Sequence, residues 1–152
     1  YIYNYQVLMS QRNFSAKIWG PHFWKTMHFV AHSYPDEPTN KQKRQYESFY
    51  KSFNTVLPCS VCRKSFNVYY SKFPIKKFLR DRMHLTYWVY IIHQKVNRKL
   101  GKCCLLKFKN ACKMYERYRV SSEKVMKCNE NKIRYRKGAT RFLEKKYLNK
   151  KS

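Results

Sequence analysis

Helix breakers are few in this chain, and most of them fall where a helical pattern starts or stops. Its 152 residues include three glycines and five prolines, too few for the repeated tight turns of a β-sandwich or barrel. From Pro21 to Ser33 the sequence PHFWKTMHFVAHS puts Trp24, His28 and His32 four residues apart, on one helical face, with Phe23, Met27 and Val30 in a neighbouring apolar stripe. YPDEPT ends that segment. Thr39 with Gln42 three residues later has the form of a capping box, so a second helix is expected to start there. It carries Tyr46, Phe49, Tyr50 and Phe53 and should end near Leu57, because Pro58 disfavours helix in the residue before it. Pro58 then suits the first turn of a third helix bearing Cys59, Cys62, Phe66, Val68, Tyr69 and Tyr70. After a connection around Pro74, HLTYWVYIIHQKVNRKL supplies a fourth helix closed by Gly101, and FKNACKMYERYR a shorter fifth. An all-α fold is predicted.

The length suits one compact domain with a tail. At 43% hydrophobic and 18% aromatic residues the chain can bury a core, and no run of 18 apolar residues offers a bilayer span. The first residues show neither the pattern of a secretory signal nor that of a transit peptide. Met9 opens MSQRNFSAKIWG just ahead of the patterned region, so residues 1–8 are expected to be upstream sequence. Charge is the extreme property: 34 Lys and Arg against 8 Asp and Glu give +26, which makes an anionic partner or nucleic acid a natural neighbour. Beyond Val120, 11 basic and 3 acidic side chains accompany sparse apolar positions, which reads as a solvated basic tail holding at most a marginal helix.

Six cysteines lie at positions 59, 62, 103, 104, 112 and 128, and only Cys59 and Cys62 form a C-x-x-C. At a helix N-terminus, with Arg63 and Lys64 following, such a pair is favoured for redox chemistry because the local positive potential stabilises a thiolate. Thiolates also bind zinc, and His28 with His32 has the spacing to complete a Cys2His2 set, although the histidines precede the cysteines, unlike the common fingers. A zinc-stabilised, nucleic-acid-binding helical module using those four ligands is therefore the rival reading. A thioredoxin-like fold is disfavoured, since a helix-period segment and not a strand precedes the motif.

Three blocks in order, WGPHFWKTMHFVAHSYPDEPT, LPCSVCRK and YWVYIIHQKVNRKLGK, resemble the FAD-linked sulfhydryl oxidases of the Erv/ALR family. The resemblance covers about residues 17 to 119. It implies a four-helix bundle with a short fifth helix, a homodimer, and FAD held in the bundle beside the C-x-x-C. It divides the chain into an N-terminal extension (1–16), an FAD-binding oxidase domain (17–119) and a basic C-terminal tail (120–152). The implied activity takes electrons from protein dithiol substrates through Cys59 and Cys62 to FAD and then to molecular oxygen, giving hydrogen peroxide. Cys59 would be the interchange thiol and Cys62 the flavin-proximal one. No resident metal and no membrane partner is implied.

By position, Gly20, Trp24 and His28 match the family's first-helix flavin-pocket block, and His93, Val96, Asn97, Leu100 and Lys102 match its H-N-x-V-N-x-x-L-G-K segment. Lys113, Glu116, Arg117 and Arg119 resemble a closing K-x-x-E-R-W-R, with Tyr118 in the tryptophan's place. Gln94 stands where the family has Asn, so its longer amide is the implied flavin contact. Such groups suit a dinucleotide: flat rings stack on heterocycles, amides read their edges, and lysine offsets pyrophosphate charge. Trp88 is expected to be core. The positions of a structural disulfide common in cellular relatives are occupied by Tyr90 and Ala111, so that bridge is absent and Cys103, Cys104, Cys112 and Cys128 stay unassigned. The short form is similar to oxidases of large DNA viruses, implying host cytoplasm or virion, with the mitochondrial intermembrane space as the alternative.

Overall fold

The computed structural model describes residues 13–102 and 106–120. Within them lie α1 (Ala16–His32), α2 (Asn40–Val56), α3 (Ser60–Lys72), a 3-10 turn (Ile75–Phe78), α4 (Arg82–Lys99) and the short α5 (Phe108–Glu116). No strand occurs among the described residues, and none of the helices there is long and apolar enough to cross a membrane. The four long helices form the expected bundle: α1 packs on α4, α2 on α3 and α3 on α4, and α5 lies against α1 and α4.

Several element ends follow from local chemistry. The capping box is present, with Thr39 Oγ1 accepting from the Gln42 N–H at 3.2 Å and Gln42 Oε1 accepting from the Thr39 N–H at 2.9 Å. α4 stops in a Schellman turn: Gly101, at φ 66°, donates to the Arg98 carbonyl, and Lys102 N–H reaches back to the Asn97 carbonyl, each at 3.0 Å. Other ends differ from the sequence reading. α1 begins at Ala16, ahead of Pro21, which the helix accommodates because a proline near its start withholds a single N–H from the Lys17 carbonyl. Pro58 lies outside α3, since Cys59 is extended (φ −163°) and serves as its N-cap. α4 starts at Arg82 because the Asp81 carboxylate accepts from the His84 N–H at 2.9 Å.

The core is aromatic. Trp88 is fully buried, meets Tyr50, Phe66 and Tyr70 edge to face, and donates its indole N–H to the Phe73 carbonyl at 2.7 Å. Tyr50 and Tyr34, also fully buried, spend their hydroxyls on the Met27 and Leu79 carbonyls. These bonds tie α2 to α1, and the end of α1 to the turn before α4, and with the indole bond they satisfy the polar groups of the three large rings. Tyr90, at one position of the missing bridge, donates its hydroxyl to the Leu106 carbonyl at 2.8 Å and packs on Phe108. A hydrogen bond and a ring contact thus join α4 to the chain entering α5. Residues 1–117 and 118–152 separate as two units; of the second, residues 118–120 are described. Cys103, Cys104, Cys128 and most of the basic tail lie outside the described residues.

Candidate functional site

Cys59 and Cys62 are joined in a disulfide, with Cα atoms 5.1 Å apart. The extended Cys59 precedes the first turn of α3, and its Sγ accepts from the Cys62 N–H at 3.2 Å, so the disulfide sulfur itself caps the helix. Cys62 packs against the hydrophobic core, one turn deeper. Three contacts that sequence reasoning passed over brace this turn. Asn13 Oδ1 accepts from the Ser60 N–H at 2.8 Å, taking another orphan donor at the start of α3. Phe14 N–H donates to the Pro58 carbonyl at 2.7 Å, and the Arg63 guanidinium donates to the Leu57 carbonyl. Asn13 lies in the segment read as an extension, and a side chain that meets a backbone N–H across 47 residues leaves no periodic signal.

A second cluster joins α1, α4 and α5. Trp24 and His93 stack face to face, ring centroids 4.1 Å apart and planes 6° apart. His28 Nε2 and His93 Nδ1 share a hydrogen bond at 3.0 Å, and the other face of the cluster is closed by Tyr115, stacked on His28 at 4.5 Å. Burial lowers the His28 pKa to about 3, helped by His93 and His32. Burial, then the Lys102 charge, lowers that of His93 to about 4. Both imidazoles are therefore uncharged near neutrality. Since one of them donates in their mutual bond, the pair retains one N–H donor and one nitrogen acceptor whichever tautomer holds.

The remaining expected residues are not all brought to this cluster. Asn97 and Val96 follow His93 by one turn of α4 and are half-buried, and Lys102 is close enough to His93 to depress its pKa. Gln94 turns its Nε2 toward the Leu106 carbonyl at 3.4 Å, leaving its buried Oε1 without a hydrogen-bond partner. Leu100 is exposed at the end of α4, Gly20 has open space where a Cβ would stand, and Tyr118 lies past the unit boundary. Tyr115 is not among the residues the sequence points to, since KMYERYR is marked by its charges and by Tyr118. His32 binds Glu116 (Nδ1 to Oε1, 2.8 Å), His28 binds His93, and the two cysteines bind each other, so the zinc ligands of the rival reading are not assembled. Among the described residues no group of three or more His, Cys, Asp or Glu could hold a metal. Cys112 is a half-buried free thiol whose pKa is pushed up by burial and by Glu116.

Comparison with known proteins agrees with the helical reading. The chain is 37% identical over 89 residues to a "Probable FAD-linked sulfhydryl oxidase" of Acanthamoeba polyphaga mimivirus, covering 58% of this chain and 62% of the relative. It is 34% identical over 84 residues to the FAD-linked sulfhydryl oxidase of an African swine fever virus isolate, covering 55% and 69%. Thus the chain spans somewhat under two thirds of the first relative's length. Its fold superposes on the FAD-binding domain of Erv1 from Saccharomyces cerevisiae with a TM-score of 0.60 at 30% identity, over 69% of this chain and 93% of that one. The Erv1 / Alr family model matches residues 21–135, most of the chain and all of α2 to α5, and the chain belongs to that family.

Proposed function

We propose that this chain is an FAD-linked sulfhydryl oxidase that makes disulfides in protein dithiols and passes their electrons through Cys59 and Cys62. The observation that carries the reading is the closed Cys59–Cys62 disulfide at the start of α3 in an Erv1 / Alr chain. A substrate thiolate attacks the Cys59 sulfur, which stands outside the helix, and Cys62 leaves toward the core as a thiolate. The second substrate thiolate then attacks the substrate's sulfur in the mixed disulfide and displaces Cys59. The partial positive charge at the start of α3 favours both thiolates.

The second cluster fits a flavin dinucleotide: flat uncharged rings for stacking, one remaining donor and one acceptor on the histidine pair, the unpartnered Gln94 oxygen, and a cation at Lys102. We assign Gly20, Trp24, His28, His93, Gln94, Val96, Asn97, Leu100, Lys102 and Tyr118 to holding it. When bound, FAD supplies the two-electron acceptor that renews the Cys59–Cys62 disulfide and delivers electrons to molecular oxygen, giving hydrogen peroxide. Residues 17–119 form the catalytic domain in this reading, acting as a homodimer, with residues 1–16 as an extension and 120–152 as a basic tail. The similarity to viral oxidases favours host cytoplasm or virion as its place of action.

The test is a purified full chain with dithiothreitol and an oxygen electrode. The wild type is expected to be yellow and to consume oxygen, whereas Cys62→Ser remains yellow and inactive. A colourless wild-type protein, or an active Cys62→Ser, would refute the assignment.

A further inference from the structure

The segments that frame the Cys59–Cys62 disulfide contain no carboxylate. Residues 13–35, which form α1 and its approach, have neither Asp nor Glu, and residues 48–80, through the second half of α2, α3 and the 3-10 turn, have none either. Cations are not scarce there: Lys17 lies in the first turn of α1, and Arg63 and Lys64 lie where the first turn of α3 passes into the second. Apolar surface is present beside them, with Phe14 68% and Val61 63% exposed. The Asn13 to Ser60 and Phe14 to Pro58 hydrogen bonds hold the N-terminal segment against the disulfide turn, and Phe14 and Val61 adjoin that contact in the chain.

We propose that this end of the molecule docks a protein segment whose oxidisable cysteine pair is flanked by acidic side chains. The proposal rests on the sulfhydryl oxidase reading and adds the substrate class. Charge complementarity selects the occupant: carboxylates on the incoming segment meet Lys17, Arg63 and Lys64, and the framing segments, residues 13–35 and 48–80, add no repelling carboxylate. Nucleic acid would satisfy the same charges but brings no thiol to the disulfide. In the exchange the segment's two thiols give up two electrons and two protons and close to a disulfide, while the Cys59–Cys62 bond opens and takes them up as two thiols. The same cations favour the attacking thiolate, which acidic neighbours would otherwise disfavour in the free segment.

The experiment uses the FAD-loaded full chain and three synthetic peptides that share one dithiol core flanked by glutamate, glutamine or lysine, with dithiothreitol as a neutral reference. At low salt the glutamate peptide is expected to show a KM about tenfold below that of the lysine peptide, because a few solvent-screened pairs together amount to that factor, and the gap should close in about 0.5 M salt. In Lys17→Gln/Lys64→Gln the gap should shrink to about threefold or less. Lys41→Gln/Arg44→Gln removes the same charge at the other end of the 17-residue α2, about 25 Å away, and should preserve the wild-type gap. Equal KM values for the three peptides, or equal loss in the two double variants, would overturn the proposal. Failure of the wild type to oxidise dithiothreitol would overturn the oxidase reading itself, and the docking proposal with it.

Discussion

Mild acid should destabilise this protein through two side chains, His28 and His93. His28 is buried and His93 half-buried, and both are uncharged in the folded state, with pKa values lowered from 6.5 to about 3 and about 4. The unfolded chain therefore binds protons that the folded chain refuses, so the stabilising contribution is present above about pH 6.5 and is lost as the pH falls below it. At pH 5 both folded values still lie below the ambient pH, so the loss is set by the unfolded side alone. About 1.5 pH units at about 1.36 kcal/mol each come to about 2 kcal/mol per histidine and about 4 kcal/mol for the pair. Asp81 adds nothing in this window: burial raises its pKa, but the hydrogen bonds from His84 and Arg80 outweigh that and hold it below 3.8, so its carboxylate is ionised in both states. The assay is urea unfolding followed by circular dichroism at pH 7.5 and 5, at one fixed concentration of free FAD. His93→Phe retains a flat ring against Trp24 but removes one titrating group, and should show about half the wild-type loss. A wild type whose stability changes by less than about 1 kcal/mol over that range, or a His93→Phe protein with the full pH dependence, would refute the reasoning.

Two further outcomes follow from the packing. Trp88→Ala should cost about 3–5 kcal/mol in urea unfolding, because it empties a fully buried site and strands the Phe73 carbonyl; a cost under about 1 kcal/mol would contradict the described core. Asn13→Ala exposes the Ser60 N–H at the start of α3 and should lower stability by about 1 kcal/mol, with faster reduction of Cys59–Cys62 by a small thiol; Asn13→Asp, which can still accept that bond, should recover the stability.

Local signals in the sequence were enough for the four long helices, because a breaker or a cap that acts within a few residues marks at least one end of each; α5 has neither. The Thr39 and Gln42 box and the Gly101 stop are instances, and both are where their spacing placed them. Pro21 misled in one respect: a proline reads as a boundary, yet one missing hydrogen bond near a helix start is tolerated and α1 continues ahead of it to Ala16. Asp81 was overlooked as a cap because the apolar pattern of α4 becomes clear only after it. The pairing of His28 with His93 spans 65 positions, and no periodicity couples residues so far apart. Their common membership in one site came from motif resemblance, whereas the stack on Tyr115 and the Asn13 brace depend on packing that neither spacing nor motif encodes.

α5 has nine residues, fewer than the ~12–15 that an isolated helix needs to hold itself together in water. Its order is therefore borrowed from α1 and α4, chiefly through Ala111 and Tyr115, which are buried while most of the helix is exposed. Because Tyr115 is also the ring that covers His28, fraying of this one element and uncovering of the histidine pair are a single event. Amide hydrogens of α5 should accordingly exchange with solvent well before those of α4, and the site should breathe from that side while the disulfide turn, anchored on α3, stays shut.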